Sequence, residues 1–552
     1  MKRRNFLKIF PAAGVSSLVV NGHAMRPFAN SKIAKILNSC EDVEDRVLVL
    51  IQLKGGNDGL NMLVPVQQYP LYAALRPSIR IPESGGTKFI DLDNTLPNPD
   101  KVGLHPKMTG LKAMYDNGQV AIVQGVGYAD MNGSHFKGTD LWLSGGDGTP
   151  EKNEIQSGWM GRALQAMYPD VMGAPTPEMP DPLGIQVGDP NPSLGFHTET
   201  QHQNMLNLSG QDPAGFYSLI QSIGGAPLLN IPNSEYGEEI KYIQGVENSL
   251  SLYAQRISDA FNAGTNSISS YPQVGLADQL KTIARLISGG LKTKIYLCSI
   301  GGFDTHGAQV FENQTTAGTH ANLLKDFSDA IKAFFDDLEG LGVGDQVTAC
   351  TFSEFGRCAR ENGSLGTDHG TLAPMFLFGK NIKAGVIGTN PNLGVLTQDN
   401  QLSDMQFDYR QVFATLLQDW LGANNYVLEQ TMFEGYTKLP AVDDMAVVTP
   451  DCYIGGVTSV FDPLNTTRPL VVYPNPANYS TEVAFQSRAA FDARLTLHSL
   501  GGQMVSASAV RVQPGNNFFY LDVAKLPTGT YFVRLENKYS GKADVAKLSV
   551  SR

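Results

Sequence analysis

The chain has 552 residues, of which 42% are hydrophobic and 17% are charged, and its formal net charge at pH 7 is −11. This composition is typical of a globular protein long enough for more than one domain, and it excludes an intrinsically disordered chain. The acidic balance, without a basic run beyond the first residues, also argues against nucleic acid as a partner.

The first 40 residues are predicted to be an export leader. Residues 1–8 read MKRRNFLK, and an arginine pair followed by Phe-Leu-Lys predicts a twin-arginine signal peptide. The weakly apolar run from Phe6 to Val20 is broken by charge, proline and glycine, whereas a membrane span needs about 20 apolar residues. We therefore expect residues 1–40 to engage the twin-arginine translocase, and we expect no transmembrane segment.

Residues 41–449 are predicted to form one large α/β domain. Apolar runs that are typical of strands buried on both faces of a parallel sheet are Arg46–Leu53, Val120–Val126, Thr293–Ile300, Asp345–Phe352 and Met375–Phe378. Helical periodicity is found in His320–Leu338 and Phe407–Leu421. Strands that alternate with helices predict a doubly wound, mostly parallel sheet. Residues 147–233, rich in Pro, Gly, Asn and Ser, are predicted to be a long insertion covering one end of that sheet.

Residues 471–552 are predicted to form a small β-sandwich, because short alternating stretches are separated by Gly, Pro and Asn at intervals of about 8–12 residues. The segments Tyr473–Ala477, Leu497–Gly502 and Leu526–Leu535 closely resemble the type A sorting domain of the type IX secretion system. This resemblance implies export through the periplasm to the cell surface or the medium, with the type IX machinery as a partner. Residues 450–470 would be the linker. The alternative is an immunoglobulin-like module that binds a carbohydrate or another partner.

Polar segments follow the predicted strands, where open α/β sheets bind their ligands. The segments are Lys54–Asn61, Tyr128–Phe136, Gly301–His306, Ser353–Arg357 and Gly366–Gly370. Each segment carries carboxylates or imidazoles, and mixed sets of Asp, Glu and His suit Zn²⁺ or Mn²⁺ better than Ca²⁺. The sequence therefore predicts a site for a divalent metal, Zn²⁺ or Mn²⁺, at this edge of the sheet.

Two spacings within these segments have a physical interpretation. Asp304 and His306 lie two residues apart, so on an extended loop their side chains point the same way and could bind one ion. Asp368 and His369 are adjacent and would diverge, so each could serve one ion of a pair about 3.5–4 Å apart. Asp58 could bridge the ions or bind the second one. Taken singly, an Asp after a strand is also a common helix N-cap.

Five motifs carry a family resemblance. They are GGNDG (55–59), SHF (134–136), GFDTH (302–306), SEFGR (353–357) and TDHG (367–370). In this order they resemble the domain of unknown function 1501 family over most of residues 47–422. That family is grouped with the alkaline phosphatase and sulfatase superfamily, so the resemblance implies an alkaline-phosphatase-like α/β fold.

The resemblance also implies roles for individual residues. Metal ligands would be Asp58, Asp304, His306, Asp368 and His369. Glu354, which the resemblance does not assign, could be a further ligand or a residue that orients Arg357. Ser134 would stand at the position of the nucleophile, at the start of a helix.

One departure from the superfamily pattern concerns the last ligand, a histidine that follows the Asp-His dipeptide. Here the only later histidine is His498, in the predicted sorting domain. Either His135 or a carboxylate such as Asp404 or Asp408 would substitute for it, or one metal site is incomplete.

The resulting hypothesis is a metal-dependent hydrolase of phosphate or sulfate esters. Ser134 would attack the ester, His135 would donate a proton to the leaving group, and Arg357 or Lys54 would bind the ester anion. The alternatives are a catalytically degenerate scaffold that binds polysaccharide or matrix at the cell surface, and a metal-dependent hydrolase acting on other bonds.

Overall fold

The computed structural model of the chain describes residues 18–20, 23–25, 43–169, 171, 175–176, 179–189, 191–198, 205–208, 213–223, 251–455, 466–473, 475–487, 491–499, 503–513, 515–538 and 543–551. The predicted twin-arginine motif lies outside these residues. The chain divides into two compact units, Met1–Gly456 and Val457–Arg552.

The strands of the first unit build one large sheet and two small ones. They are β1 (Leu18–Val20), β2 (His23–Met25), β3 (Val47–Lys54), β4 (Leu63–Pro65), β5 (Ile90–Asp91), β6 (Val102–Leu104), β7 (Val120–Gly127), β8 (Gly184–Val187), β9 (Met205–Leu208), β10 (Ile295–Gly301), β11 (Val347–Phe352), β12 (Ala373–Phe378), β13 (Gly385–Ile387) and β14 (Phe407–Asp408). Among the described residues, nine strands form the large sheet in the order β13-β7-β12-β11-β3-β10-β8-β9, with β14 also paired to β7.

The predicted mostly parallel sheet is confirmed, with one strand reversed. β3 pairs in parallel with β10 and β11, whereas β12 is antiparallel to both β11 and β7. The carboxyl ends of β3, β7, β10 and β11 therefore meet at one edge of the sheet, together with the amino end of β12. This reversal brings the segment that precedes β12 to the edge where the other polar segments lie.

Strand β3 explains why the core has two halves. Its side chains alternate between the faces of the sheet, so Val49 and Ile51 pack into one hydrophobic cluster and Leu48 and Leu50 into the other. All four are fully buried, and each contributes about 1.5–3 kcal/mol through removal of its apolar surface from water.

Helices cover both faces of the sheet. The first unit contains helices at Gly59–Met62, Tyr69–Leu75, Thr109–Asp116, His135–Ser144, Trp159–Met167, Phe216–Ile223, 251–263, Gly275–Ser288, Thr319–Gly340, Tyr409–Thr415 and Asn425–Thr431, with a π-helical turn at Leu416–Trp420. The helix Thr319–Gly340 packs Phe327 and Phe334 against one face, and Trp159 and Phe413 pack against the other. This is the doubly wound architecture. No helix among the described residues is long and apolar enough to cross a membrane.

The described part of segment 147–233 contributes two strands to the large sheet. Its strands β8 and β9 pair in parallel with each other, and β8 pairs in parallel with β10. These two strands thus extend the large sheet beyond β10 and are the last two in its strand order.

The second unit is built from two antiparallel sheets, of order β15-β16-β19 and β18-β17-β20-β21. Its strands are β15 (Thr466–Tyr473), β16 (Ser480–Ser487), β17 (Phe491–Ser499), β18 (Met504–Val512), β19 (Gly515–Asp522), β20 (Gly529–Asn537) and β21 (Ala543–Val550). Val483 and Phe485 of one sheet share a buried cluster with Leu495 and Val533 of the other. The predicted β-sandwich is confirmed.

Candidate metal centre

Three histidines and one aspartate converge at the carboxyl edge of the large sheet. His135 begins the helix after β7, Asp304 and His306 follow β10, and His369 precedes β12. His135, Asp304 and His369 offer ligand atoms that all lie within 4.8 Å of one another. His306 joins them, since its Nε2 lies 2.9 Å from Nε2 of His369 and 3.3 Å from Oδ1 of Asp304.

The Nδ1 atom of each histidine faces an oxygen that can only accept a hydrogen bond. The pairs are His135 with Glu354 Oε1 at 2.8 Å, His306 with Asp368 Oδ1 at 3.0 Å and His369 with the carbonyl oxygen of Gly133 at 2.7 Å. Each Nδ1 must therefore carry the hydrogen, which leaves each Nε2 with a lone pair in the neutral ring. Histidines that bind metals are oriented in this way by a second partner.

The separations between the three Nε2 atoms and the Asp304 carboxylate are those of a tetrahedral ligand set, whereas the Nε2 atoms of His306 and His369, 2.9 Å apart, lie closer together. The His135 and His369 Nε2 atoms lie 3.4 Å and 3.5 Å from the Asp304 oxygens. Ligands about 2.0–2.1 Å from a tetrahedral Zn²⁺ are about 3.3–3.5 Å apart. Lone pairs that face each other and a carboxylate repel one another unless a cation or a ring proton lies between them.

The Nε2 atom of His135 has the environment expected of a metal ligand. This atom is buried and has no hydrogen-bond partner among the described residues, although a buried polar atom is rarely left unsatisfied. Burial lowers the pKa of His369, which favours the neutral ring that binds metals. Three imidazoles and one carboxylate fit Zn²⁺ or Mn²⁺, as the sequence predicted for this edge.

Arg357 holds Asp304 in place. Its Nη2 donates to Asp304 Oδ1 over 2.7 Å, and the guanidinium also donates to the carbonyl oxygens of Gly55, Gly56, Phe303 and Thr367. Burial would raise the pKa of Asp304, but the hydrogen bond and the positive charge of Arg357 outweigh it and lower that pKa. The sequence predicted that Arg357 binds an ester anion. In this structure its donors are occupied by the protein.

Gly55 lets the loop after β3 approach this centre. Its φ is +118°, and a Cβ there would lie 2.2 Å from the backbone nitrogen of Asp304, so a side chain would displace that residue. The Gly55 amide donates to Glu354 Oε1 over 2.7 Å. The glycine pair of the GGNDG motif thus serves close packing.

Two predicted ligands, Glu354 and Asp368, contact the Nδ1 atoms of the histidines rather than the Nε2 atoms that converge. Glu354 is buried, and its Oε1 faces His135, while its Oε2 has no hydrogen-bond partner among the described residues. Asp368 is exposed and faces His306, and hydrogen bonds from Asn362 and then from His306 lower its pKa. Both carboxylates orient imidazoles in this arrangement.

Asp58, which the sequence predicted as a ligand, is not brought to the cluster. It is fully buried and accepts two hydrogen bonds from Arg76 Nη1, at 2.7 Å and 2.8 Å, and one from Gln309 at 2.6 Å. Burial alone would raise the pKa of Asp58, but the charge of Arg76 contributes most to holding it below the usual value. Both oxygens of this carboxylate are engaged by protein donors, which hold it towards Arg76 and Gln309.

Ser134 is the N-cap of the helix His135–Ser144. Its hydroxyl accepts from the Lys137 amide at 3.5 Å, and the side chain is exposed. Ser134 stands between Gly133, whose carbonyl orients His369, and His135, so its backbone is fixed beside the cluster.

A cavity of about 630 Å³ opens beside His135. Its charged lining residues are Lys54, Asp140, Asp189, Asp304 and Glu354. The cavity has an acidic balance because four carboxylates line it and the one lysine, Lys54, is paired with one of them, Asp189. Phe136, which is 87% exposed, stands at the wall beside uncharged groups such as Gln186.

The model of a family described as "Protein of unknown function (DUF1501)" matches residues 45–429, which include every residue of the cluster. The chain belongs to this family. The DUF1501 region is followed by a match to the secretion system C-terminal sorting domain at residues 471–550. That domain indicates export to the cell surface or the extracellular space, handled by the type IX secretion machinery.

Solved structures resemble the chain at low identity, and no curated protein matches it. An alkaline phosphatase superfamily protein from Vibrio parahaemolyticus has 9% identity and a TM-score of 0.30, with 95% of this chain and 92% of that chain covered. The PsFucS1 sulfatase from Pseudoalteromonas sp. has 10% identity and a TM-score of 0.32, with coverages of 89% and 86%. PorZ, a surface component of the type IX secretion system of Porphyromonas gingivalis, has 15% identity and a TM-score of 0.12. The match covers 15% of this chain and 11% of PorZ. Sequence identities and TM-scores this low do not identify an activity.

Sequence reasoning found most of the cluster but missed two of its supports. Arg76 lies in no motif, and Gln309 follows the GFDTH motif by three residues. The pairing of Asp58 with Arg76 could have been suspected from the cost of burying a carboxylate without a partner.

Proposed function

We propose that this chain is an exported hydrolase of phosphate or sulfate esters that depends on one divalent metal ion, Zn²⁺ or Mn²⁺. His135, Asp304, His306 and His369 would hold that ion. The observation that carries the proposal is the convergence of three Nε2 lone pairs on one carboxylate, with each Nδ1 hydrogen engaged elsewhere. A single ion is favoured because both carboxylate oxygens of Asp58, the predicted ligand of a second ion, accept hydrogen bonds from Arg76 and Gln309.

When bound, the ion would supply a Lewis acid that polarises the ester oxygen. The hydroxyl oxygen of Ser134 would bond to the phosphorus or sulfur atom while the bond to the alcohol oxygen breaks, and the hydroxyl proton would leave with the alcohol. Water would then cleave the seryl ester, which restores Ser134 and releases phosphate or sulfate. The first amides of the helix that begins at His135 would favour the negative charge that develops next to Ser134. Glu354 and Asp368 would keep two imidazoles oriented, and Arg357 would keep the Asp304 carboxylate ionised. In this scheme His135 is a ligand rather than the acid for the leaving group.

The acidic cavity would receive the organic part of the ester. Asp140 faces it, and Lys54 does not offset that carboxylate because it is paired with Asp189. A second anionic group on the substrate would be repelled there, whereas an uncharged group could use amides such as Gln186 and the ring of Phe136. We therefore expect esters of uncharged alcohols to be preferred.

The deciding experiment measures bound metal per mole of purified full-length protein, after exposure to Zn²⁺ or Mn²⁺. The Asp304→Ala/His306→Ala double variant removes two ligands, and His498→Ala is the matched control in the second unit. Both variants and the wild type are then assayed with chromogenic aryl phosphates and sulfates, each with and without an added carboxylate on the aryl group.

About one metal per chain in the wild type and the control, with loss in the double variant, is the expected result. Turnover that follows the metal supports the hydrolase. Stoichiometric metal without turnover of any ester would leave a metal-containing binding scaffold. A folded wild type that takes up no metal would mean that a protonated histidine fills the cluster, and the proposal would fail.

A further inference from the structure

We propose that Gln309 is a positioning residue that couples the buried Asp58–Arg76 ion pair to both loops that carry the metal ligands. The inference rests on the metal site proposed above and adds a residue that does not touch the metal. It gives Asp58 a role other than the one its motif predicted.

The Gln309 side chain makes three hydrogen bonds, one to the ion pair and two to the loops that carry the ligands. Its Nε2 donates to Asp58 Oδ2 over 2.6 Å. Its Oε1 accepts from the hydroxyl groups of Thr305 and Thr367, both at 3.0 Å. Thr305 lies between the ligands Asp304 and His306.

Thr367 precedes the second pair, Asp368 and His369. One amide therefore joins a threonine side chain of each ligand-bearing loop to a single buried carboxylate. The loops are also joined directly, because the Thr367 amide donates to the carbonyl oxygen of Thr305 over 3.1 Å.

The orientation of the Gln309 amide is fixed by its partners. A carboxylate only accepts, so the nitrogen must face Asp58, and the oxygen must then face the two hydroxyls. Glutamate at this position would place a second carboxylate against Asp58. An apolar residue would leave Asp58 with fewer donors.

Burial makes these contacts persistent. Gln309, Asp58, Arg76 and Thr367 are all fully buried, and Thr305 is 2% exposed. In this water-excluded setting the hydrogen bonds face no competition from solvent, and a donor or acceptor left without its partner is costly.

Arg76 extends the connection to a third loop. Its guanidinium donates to the carbonyl oxygens of Cys358 and Ala359, both at 2.8 Å. These residues directly follow Arg357, which holds Asp304. The ion pair is thus the common support of the segments at 304–306, 357–359 and 367–369.

The test compares Zn²⁺ affinity in the full-length chain, by competition with a chelating dye, for the wild type and Gln309→Met. Methionine keeps the approximate volume of glutamine and removes all three hydrogen bonds. Loss of an outer partner of a metal site weakens binding by about 10–100-fold, and we expect a loss in that range. Thr305→Val and Thr367→Val, each removing one hydroxyl, should give smaller losses, and Thr305→Ser should restore the wild-type value.

Asp337→Asn is the matched control. Asp337 is also fully buried and accepts hydrogen bonds from Asn266, Ser267 and Tyr271, none of which belongs to the site. This variant should lower the thermal midpoint while Zn²⁺ affinity stays at the wild-type value.

Three outcomes overturn the inference. Gln309→Met with Zn²⁺ affinity within twofold of the wild type means that the amide does not position the ligands. Equal losses of affinity in Gln309→Met and Asp337→Asn mean a general effect of stability. A wild type that binds neither Zn²⁺ nor Mn²⁺ overturns the proposed function together with this inference, and so is distinguishable from the first two. If Gln309→Met does not fold, the comparison of Thr305→Val with Thr305→Ser decides the question.

Discussion

Arg357 donates to Asp304 over 2.7 Å although the arginine side chain is fully buried and the aspartate is 49% exposed. The guanidinium also reaches the carbonyl oxygens of Gly56 and Thr367, at 2.8 Å each. A buried arginine thus fixes an exposed carboxylate at the mouth of the site. Its planar fork meets several acceptors at once, which a lysine ammonium does not reproduce.

Replacement of this residue by Arg357→Lys should therefore destabilise the first unit and weaken metal binding. Buried carbonyl oxygens would lose their donors, and we expect a cost of about 3 kcal/mol or more. Calorimetric unfolding, with and without Zn²⁺, measures it. Unchanged stability with reduced ester turnover would instead indicate that Arg357 contacts the substrate.

The second prediction concerns the Asp58–Arg76 pair. Asp58→Asn leaves the Arg76 charge buried without its counter-ion, and removal of one partner of such a pair costs about 3–5 kcal/mol. The thermal midpoint should fall, while metal stoichiometry at saturating Zn²⁺ stays at the wild-type value. A variant that folds normally and loses the metal would restore Asp58 as a ligand.

The strands could be predicted because their signal is local. The run at residues 46–53 is apolar at nearly every position, and β3 is found at Val47–Lys54. The reversal of β12 depends on which neighbours it meets across the sheet, and no local pattern encodes that. The same is true of β8 and β9, whose short strands lie in a segment rich in Pro, Gly, Asn and Ser.

The candidate site was partly predictable for the same reason. Asp304, His306 and His369 could be expected to meet, because they flank strand ends that share an edge. Asp58 also follows a strand, yet it forms a buried ion pair with Arg76, 18 residues later. Whether a polar residue at a strand end faces the cleft or a buried arginine is decided by contacts distant in sequence.

The third prediction concerns acid stability. His320 is buried, with Nε2 3.2 Å from Asn57 Oδ1, and burial lowers its pKa to about 4 from 6.5 despite the opposing charge of Asp58. Above pH 6.5 the ring is neutral in both states and contributes no pH dependence. Below pH 6.5 the unfolded chain binds the proton first, so stability is lost progressively down to about pH 4.

This shift corresponds to roughly 3 kcal/mol for His320. The wild type should therefore lose stability more steeply between pH 6.5 and 4 than His320→Gln. His105 remains in both proteins. Burial lowers its pKa to about 3 and the charge of His320 adds to that lowering, so the difference between the two proteins includes this smaller contribution. Denaturation midpoints measured at half-unit pH intervals provide the comparison, and parallel curves would contradict the assignment.

The fourth prediction separates two roles of Ser134, which caps a helix and is proposed to attack the ester. Ser134→Ala removes both the cap and the hydroxyl, whereas Ser134→Asn keeps a capping side chain without the nucleophile. We expect both variants to lose ester turnover by at least about 1,000-fold, as when other nucleophilic serines are removed. Only Ser134→Ala should lose stability, by about 1 kcal/mol.

Bound metal should be unchanged in both variants, because the hydroxyl of Ser134 is not one of the converging ligand atoms. Metal content measured with turnover therefore shows whether the variants act on chemistry or on the site itself. Wild-type turnover in Ser134→Asn would mean that water attacks the ester directly. In that case the serine at the start of this helix would serve only to orient Gly133 and His135, which contact the cluster on either side of it.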